Sequence, residues 1–235
     1  MRKIIVANWK MNVPRLNDWA GFRAPSGVII VICPPFPYLP LINFKKMGVK
    51  IGAQDLFWEN LRSGSAYTGE VSADMLKSFG VEYVIVGHSE RRANLNETNE
   101  IVNKKIKTAL SAGLKVIFCV GESKNVRSNG MTSAKNFVRA QIKAGLTGVK
   151  KNFLRQIIVS YEPIWAIGTG ASDKPESSVE MAVFIKSLLP VRVLYGGSVN
   201  EKNAEKFLSK KELDGALIGR ASVDAKQFKK ITNIK

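Results

Sequence analysis

The stretch "KIIVANWKMN", residues 3–12, decides the fold. Ile4, Ile5, Val6 and Ala7 follow one another with no polar alternation, the pattern of a strand buried on both faces of a parallel sheet. An open doubly wound sheet normally leaves its first strand through a glycine-rich dinucleotide turn. This strand runs into Asn8, Trp9, Lys10, Met11 and Asn12 instead. Working outward, similar runs recur at 28–33, 49–54, 82–87, 114–120, 156–161, 191–196 and 215–219, giving eight expected strands. Helical patterns lie between them. One covers 96–113, with Asn96 as the capping residue and Gly113 as the stop. Others cover 174–190, opening on Pro175 and ending at Pro190, then 200–212 and 224–234. Eight β-then-α units in 235 residues predict a closed eight-stranded parallel β/α barrel, one domain spanning 1–235. Its first unit is shortened. Pro14 and Pro25 leave room for little more than "LNDWAGF", so the first helix has one or two turns or is absent.

Composition narrows the function classes. At 45% hydrophobic and 23% charged, the chain reads as a soluble globular protein, and no apolar run is long enough to cross a bilayer. The basic residues of "MRKIIVANWK" precede too short an apolar run for a signal peptide, so a cytoplasmic location is expected. Cys33 and Cys119 both lie in apolar runs and read as buried reduced thiols rather than a disulfide. With one histidine and two distant cysteines, no metal site is expected. The net charge of +17 admits nucleic acid, anionic lipid or a small anionic substrate as partner. Along the sequence the basic residues are dispersed and not interleaved with aromatics, which reads as a solvated basic exterior.

In a β/α barrel the strand C-terminal ends converge on one mouth. The exits here supply Asn8 and Lys10 from the first strand, then His88, Ser89 and Glu90 from the fourth. Cys119 and Glu122 come from the fifth and Glu162 from the sixth; "YGGS" and "IGRAS" follow the seventh and eighth. Singly, each has a structural alternative: Lys10 as a solvated turn residue, His88 as a hydrogen-bonded structural histidine, Glu162 closing a turn before Pro163, the glycines as turn formers. An amine, an imidazole and several carboxylates at one mouth are more than packing requires.

"ANWKMN", "GHSERR", "YEPIWAIGTG" and "YGGSV", with "AYTGEVSADML" and "CVGE", resemble the motifs of the triosephosphate isomerases in that family's order, from Ile5 to about Ala221. The resemblance implies interconversion of dihydroxyacetone phosphate and glyceraldehyde 3-phosphate through an enediolate, without cofactor or metal. It implies Glu162 as the proton shuttle, His88 as the electrophile, and Lys10 and Asn8 as enediolate stabilisers, with Ser89 and Glu90 in support. Gly168, Ser198, Gly219 and Arg220 become backbone donors to the substrate phosphate. Pro163, Ile164, Trp165, Ala166, Ile167, Gly168, Thr169 and Gly170 form a lid. Tyr67, Thr68 and Glu70 belong to a loop that enters a second subunit near Met11, so a homodimer is expected, with no nucleic acid or membrane partner. The alternatives are another sugar-phosphate isomerase or aldolase on the same barrel, or a basic nucleic-acid-binding protein. Three features depart from the family's pattern. Arg220 replaces a second glycine, with its guanidinium expected to point outward. Ala171, Ser172 and Asp173 replace the usual Lys-Thr-Ala at the far lid hinge, and the first β/α unit is short.

Overall fold

Eight parallel strands hydrogen-bond in chain order and close into a barrel. They are β1 Lys3–Asn8, β2 Val28–Cys33, β3 Lys50–Ala53, β4 Tyr83–Val86, β5 Lys115–Val120, β6 Ile157–Tyr161, β7 Arg192–Tyr195 and β8 Gly215–Ile218. The computed structural model describes residues 2–60, 66–167 and 173–233. All eight expected strands form, several trimmed by a residue or two at their ends. Closure is by β8 on β1, with Ile4 opposite Gly215 and Ala7 opposite Ile218. Gly215 is required there: its φ is +149°, and a Cβ on it would lie 1.8 Å from the Ile4 carbonyl oxygen.

Strand alternation sorts the core into two shells. Ile4, Val6, Val31, Cys33, Ile85, Ile117, Cys119, Ile158, Leu194 and Leu217 fill the barrel interior. Their neighbours, such as Ile5, Ala7, Val116, Phe118, Val159 and Val193, pack outward against the helices. Burial on both faces is why the strands read as continuous apolar runs.

The α-helices among the described residues are α1 Leu16–Trp19, α2 Phe44–Met47, α3 Ala73–Ser78, α4 Ser89–Asn94 and α5 Asn99–Ser111. They continue with α6 Lys124–Ser128, α7 Met131–Gly145, α8 Pro175–Leu188, α9 Ala204–Leu208 and α10 Ala225–Thr232. The first helix is a single turn, so the first unit is short as expected. Aromatic packing holds it in place. Trp19 packs with tilted rings at 4.8 Å from Trp9, 5.1 Å from Phe22 and 5.6 Å from Phe228, and its indole N–H donates to the Val223 carbonyl.

Two sequence readings are corrected, and one long helix is added to them. Thr98, not Asn96, caps α5, its hydroxyl accepting from the Ile101 N–H, while Asn96 takes a left-handed turn at φ 52°. The pattern at 200–212 yields only the five residues of α9, because Asn200 and Asn203 bond into a turn before it. The longest described helix, α7, is not among the expected helical patterns, although Ala134, Val138 and Ile142 form an apolar stripe at helical spacing; Gln141 and Gly145 occupy buried slots in the same stripe. Gly145 is needed because a Cβ there would come within 2.4 Å of the Phe118 ring.

Candidate active site

The alternation that fills the barrel also delivers its mouth. Ile4 and Val6 lead to Asn8, Ile158 to Ser160 and Glu162, Leu194 to Gly196 and Ser198, and Leu217 to Gly219. A cavity of about 670 Å³ opens there, lined by Asn8, Lys10, His88, Ser198, Gly219 and Arg220. Ile167 reaches it from the segment after β6. Asn12, Asn200 and Gln227 line it too; sequence reasoning missed these, because ordinary polar loop residues carry no pattern.

Lys10 occupies a left-handed conformation, φ 49°, unusual for a side chain with a Cβ. Its own N–H donates to Asn8 Oδ1 at 3.0 Å. Its carbonyl accepts from Gln54 Nε2 at 2.9 Å, and Gln54 is fixed in turn on the Cys33 carbonyl. The strained backbone aims the ammonium across the mouth to Glu90 Oε1 at 2.5 Å. Gly219 leaves room for it, since a Cβ there would sit 3.0 Å from Lys10 Cε.

His88 is the N-cap of α4, and its Nδ1 accepts from the Glu90 N–H at 3.2 Å. An accepting Nδ1 puts the ring proton on Nε2, the nitrogen free to donate to a ligand. Two arginines of "GHSERR" hold this helix. Arg92 donates to the Gly87 carbonyl at 2.7 Å and to Asn99 Oδ1 at 2.8 Å. Arg91 meets Asp55 at 2.9 Å and Glu97 at 2.5 Å.

Glu162 is buried, 1% exposed. Its Oε2 accepts from the Ser89 N–H at 3.0 Å, and its Oε1 lies 3.6 Å from His88 Nε2 without a hydrogen bond. It sits in a small space beside Ser89, Cys119 and Gly121, next to the main cavity rather than lining it. Two glycines create that space. A Cβ on Gly121 would lie 1.7 Å from the Glu162 carbonyl oxygen, and one on Gly196 would lie 2.7 Å from Glu162 Cγ. Burial, with the Glu162 charge adding to it, pushes the Cys119 thiol well above its ordinary pKa, so it stays protonated and unreactive.

Pro163, Ile164, Trp165, Ala166 and Ile167 follow as a 3₁₀ turn with short flanks. The turn is latched at two points. The Ile164 N–H donates to the Glu122 carbonyl at 3.1 Å, and the Ser198 N–H and hydroxyl both donate to the Ala166 carbonyl, at 3.1 and 2.7 Å. The Ser198 amide is therefore occupied in this arrangement rather than free for an anion. Glu122 is buried, with Tyr161 donating to Oε1 at 2.9 Å and the Arg127 guanidinium 3.6 Å away as an ion pair. Burial raises its pKa, and the Tyr161 hydrogen bond opposes the rise. Arg127 also lies 6.0 Å from the Trp165 ring centre. Gly168, Thr169 and Gly170, expected in the lid, and Ala171 and Ser172 after them, lie outside the described residues. The chain resumes at Asp173, whose N–H donates to the Tyr195 hydroxyl at 3.1 Å.

Arg220 opens a 3₁₀ turn after Gly219 and is exposed. Lys10 and Asn96 alone have positive φ among the described non-glycine residues, so arginine fits at 220 without backbone strain. Met11, Tyr67, Thr68 and Glu70 are all exposed, and Tyr67 packs at 4.6 Å on Phe57; residues 61–65 of that loop lie outside the described part. Among the described residues, no cluster of three His, Cys, Asp or Glu side chains could hold a metal, and no helix is long and apolar enough to cross a membrane.

A carboxylate, an imidazole N–H, an ammonium and a carboxamide at one mouth can move a proton beside a carbonyl and stabilise the resulting oxyanion. The family model described as triosephosphate isomerase matches residues 3–235. The triosephosphate isomerase of Dictyoglomus thermophilum is 43% identical over 249 residues, covering 97% of both chains. That of Aquifex aeolicus is 43% identical over 98% of both. That of Alkaliphilus oremlandii is 40% identical, over 99% of this chain and 100% of the relative.

Proposed function

The chain belongs to the triosephosphate isomerase family, and from that premise we propose how its residues divide the work of an aldose–ketose isomerase. The reaction interconverts dihydroxyacetone phosphate and D-glyceraldehyde 3-phosphate. Glu162 takes a proton from the carbon beside the carbonyl; the C–H electron pair becomes a carbon–carbon double bond and the carbonyl π pair moves onto oxygen, giving an enediolate. His88 carries the hydroxyl proton from one enediolate oxygen to the other, and the Glu162 carboxyl returns the first proton to the adjacent carbon as the carbonyl forms on the other oxygen. His88 donates from Nε2 to the developing oxyanions, Lys10 supplies fixed positive charge, and Asn8 donates without changing protonation. Glu90 and Ser89 position Lys10 and Glu162 respectively. Backbone N–H groups of Gly219 and Arg220 receive the phosphate, joined by Gly168 and Ser198 when the lid turn leaves its latch.

The observation that carries this reading is the orphaned Glu162 Oε1, buried and 3.6 Å from His88 Nε2. A carboxylate oxygen with no hydrogen bond is costly in a protein interior unless it is kept for a ligand. The Ser89 hydrogen bond holds Glu162 aside until substrate arrives. Lid closure then exchanges two bonds together: Ala166 releases the Ser198 amide, and Glu162 leaves Ser89 for the substrate carbon. Covering the site removes water and strengthens the electrostatics around the enediolate.

Glu162→Gln should lower kcat by about a thousandfold with little change in KM, read in a coupled assay from glyceraldehyde 3-phosphate. Retention of more than a tenth of the activity would remove Glu162 from the role. The chain is further proposed to work as a single domain, residues 1–235, in the cytoplasm. Two copies pair through the loop bearing Tyr67, Thr68 and Glu70 and the surface around Met11, which is 97% exposed.

A further inference from the structure

Between residues 101 and 161 the chain carries twelve Lys and Arg and one acid, the buried Glu122. From 123 to 161 it has no acid at all. This segment is contiguous in space: it builds α5, β5, α6, α7 and β6, one side of the barrel. Along the sequence these charges look scattered, but the fold gathers six of them. Asn103 Nδ2 on α5 donates to the Gly145 and Thr147 carbonyls at the end of α7, at 2.8 and 2.9 Å. Lys107 Nζ reaches the turn at Gly148, where a Cβ would lie 3.2 Å from it. Lys104, one helical turn from Lys107, and Lys143, in the last turn of α7, border the same junction; Lys150, Lys151 and Arg155 follow it. All six are exposed. Ion pairs in this segment go to other cations: Lys105 to Asp55 and Glu97, Arg127 to Glu122, Lys135 to Glu180. Among the described residues, the six have no acidic partner within 4 Å. The helices run back from the mouth, so their C-terminal ends and the 151–156 turn lie at the rim opposite the cavity, where β6 begins.

We infer that this rim is a second binding surface, for the phosphodiester backbone of a double-stranded nucleic acid, read without sequence preference. Unpaired cations in a row neutralise phosphates and release counterions. Asn152 and Gln156, between Lys151 and Ile157, add neutral hydrogen-bonding groups suited to phosphate oxygens. Single strands are disfavoured because exposed aromatics, on which bases would stack, are missing from the rim; Phe153 is half-buried against the core. A bilayer is disfavoured for a similar reason. Phe137 is the sole exposed large apolar side chain among described residues between Leu95 and Ile164, so little can insert among lipids. The charge is also not an artefact of net composition. Five acids, Asp55, Glu97, Glu122, Glu162 and Asp173, are buried against one lysine, Lys105, which leaves the exterior more basic than the net +17.

The test is fluorescence anisotropy of a labelled RNA or DNA duplex of about 20 base pairs against the full chain across a salt series. Four to six phosphate contacts give a slope of log K against log salt of roughly −4 to −5. A quadruple variant, Lys104→Glu, Lys107→Glu, Lys143→Glu and Lys150→Glu, is expected to weaken binding more than tenfold. A control reversing Lys202, Lys206, Lys226 and Lys229, with the same net charge, is expected to lose less than threefold. Unchanged isomerase kcat/KM shows that both variants fold, and a Lys→Gln set at the same four rim positions replaces the first if it does not. Equal losses in the two variants overturn the rim in favour of diffuse charge. No duplex binding at low salt, or capture by phosphatidylserine vesicles without duplex binding, overturns the proposal as a whole.

Discussion

Arg220 stands at the cavity wall where the family's pattern has a glycine, and its backbone adopts no left-handed angle. What the position supplies to an anion is therefore its N–H, which arginine retains. Arg220→Gly is expected to change kcat/KM by less than tenfold in either direction, measured under steady state with both substrates. A larger change would mean that the guanidinium itself touches the phosphate. At this scale the sequence shows which side chains stand at strand exits, because strand parity and the strand ends are both legible. It does not show what holds them. Gln54 fixes the strained Lys10 from the exit of β3, and Arg91 and Arg92 clamp the helix that His88 caps. The Gln54 and Asp55 links span tens of residues, and the Arg92 bond ends on a backbone carbonyl, so none leaves a pattern of residue types at a fixed spacing. Nor does sequence show that Gly121 and Gly196 exist to make room for Glu162, because their necessity is a matter of close approach and not of turn geometry.

Among the elements, strands were more legible than helices for a physical reason. A strand buried on both faces must be apolar at nearly every position, whereas α7 needs apolar groups on one stripe only and uses Gly145 and Gln141 within it. The junction of α4, α5 and the β3 exit adds something no periodicity could reveal: a buried charge cluster. Lys105 bonds both Asp55 oxygens, at 2.8 and 2.7 Å, and also Glu97; Arg91 bonds the same two acids. Burial, with Glu97 nearby, raises the Asp55 pKa to about 6 despite Lys105 and Arg91. The sign follows. Below about pH 4 Asp55 is protonated in both folded and unfolded chains, and its burial carries no charge penalty. As pH rises the unfolded chain ionises first, so the native state loses stability until the folded group ionises near pH 6. Relative to Asp55→Asn, the wild-type unfolding free energy should fall by about 2 kcal/mol between pH 4 and pH 7 in chemical denaturation. Parallel pH curves for the two proteins would show that the cluster compensates the buried charge completely.

At the scale of the molecule, the barrel is closed and leaves no open sheet edge, so association must use side chains on the outer surface. Met11 is 97% and Val13 77% exposed directly after the first strand, and Tyr67, Met75, Phe79 and Leu95 are also exposed. Exposed apolar side chains at these positions fit the proposed pairing, in which a second copy would cover those around Met11 and Tyr67. Met11 follows Lys10, so a partner covering it also buttresses the strained backbone that aims the ammonium. Stability of the pair and activity of each site are then linked, which a monomeric reading of the same barrel does not require. Sedimentation should find twice the chain mass at micromolar concentration, and dilution into the nanomolar range should lower activity per chain. Met11→Asp, which buries a charge where the loop of the second copy would dock, should shift the equilibrium to monomer and lower kcat more than it raises KM. A monomer with full activity at micromolar concentration would separate the catalytic mouth from any partner and leave Met11 exposed for some other reason.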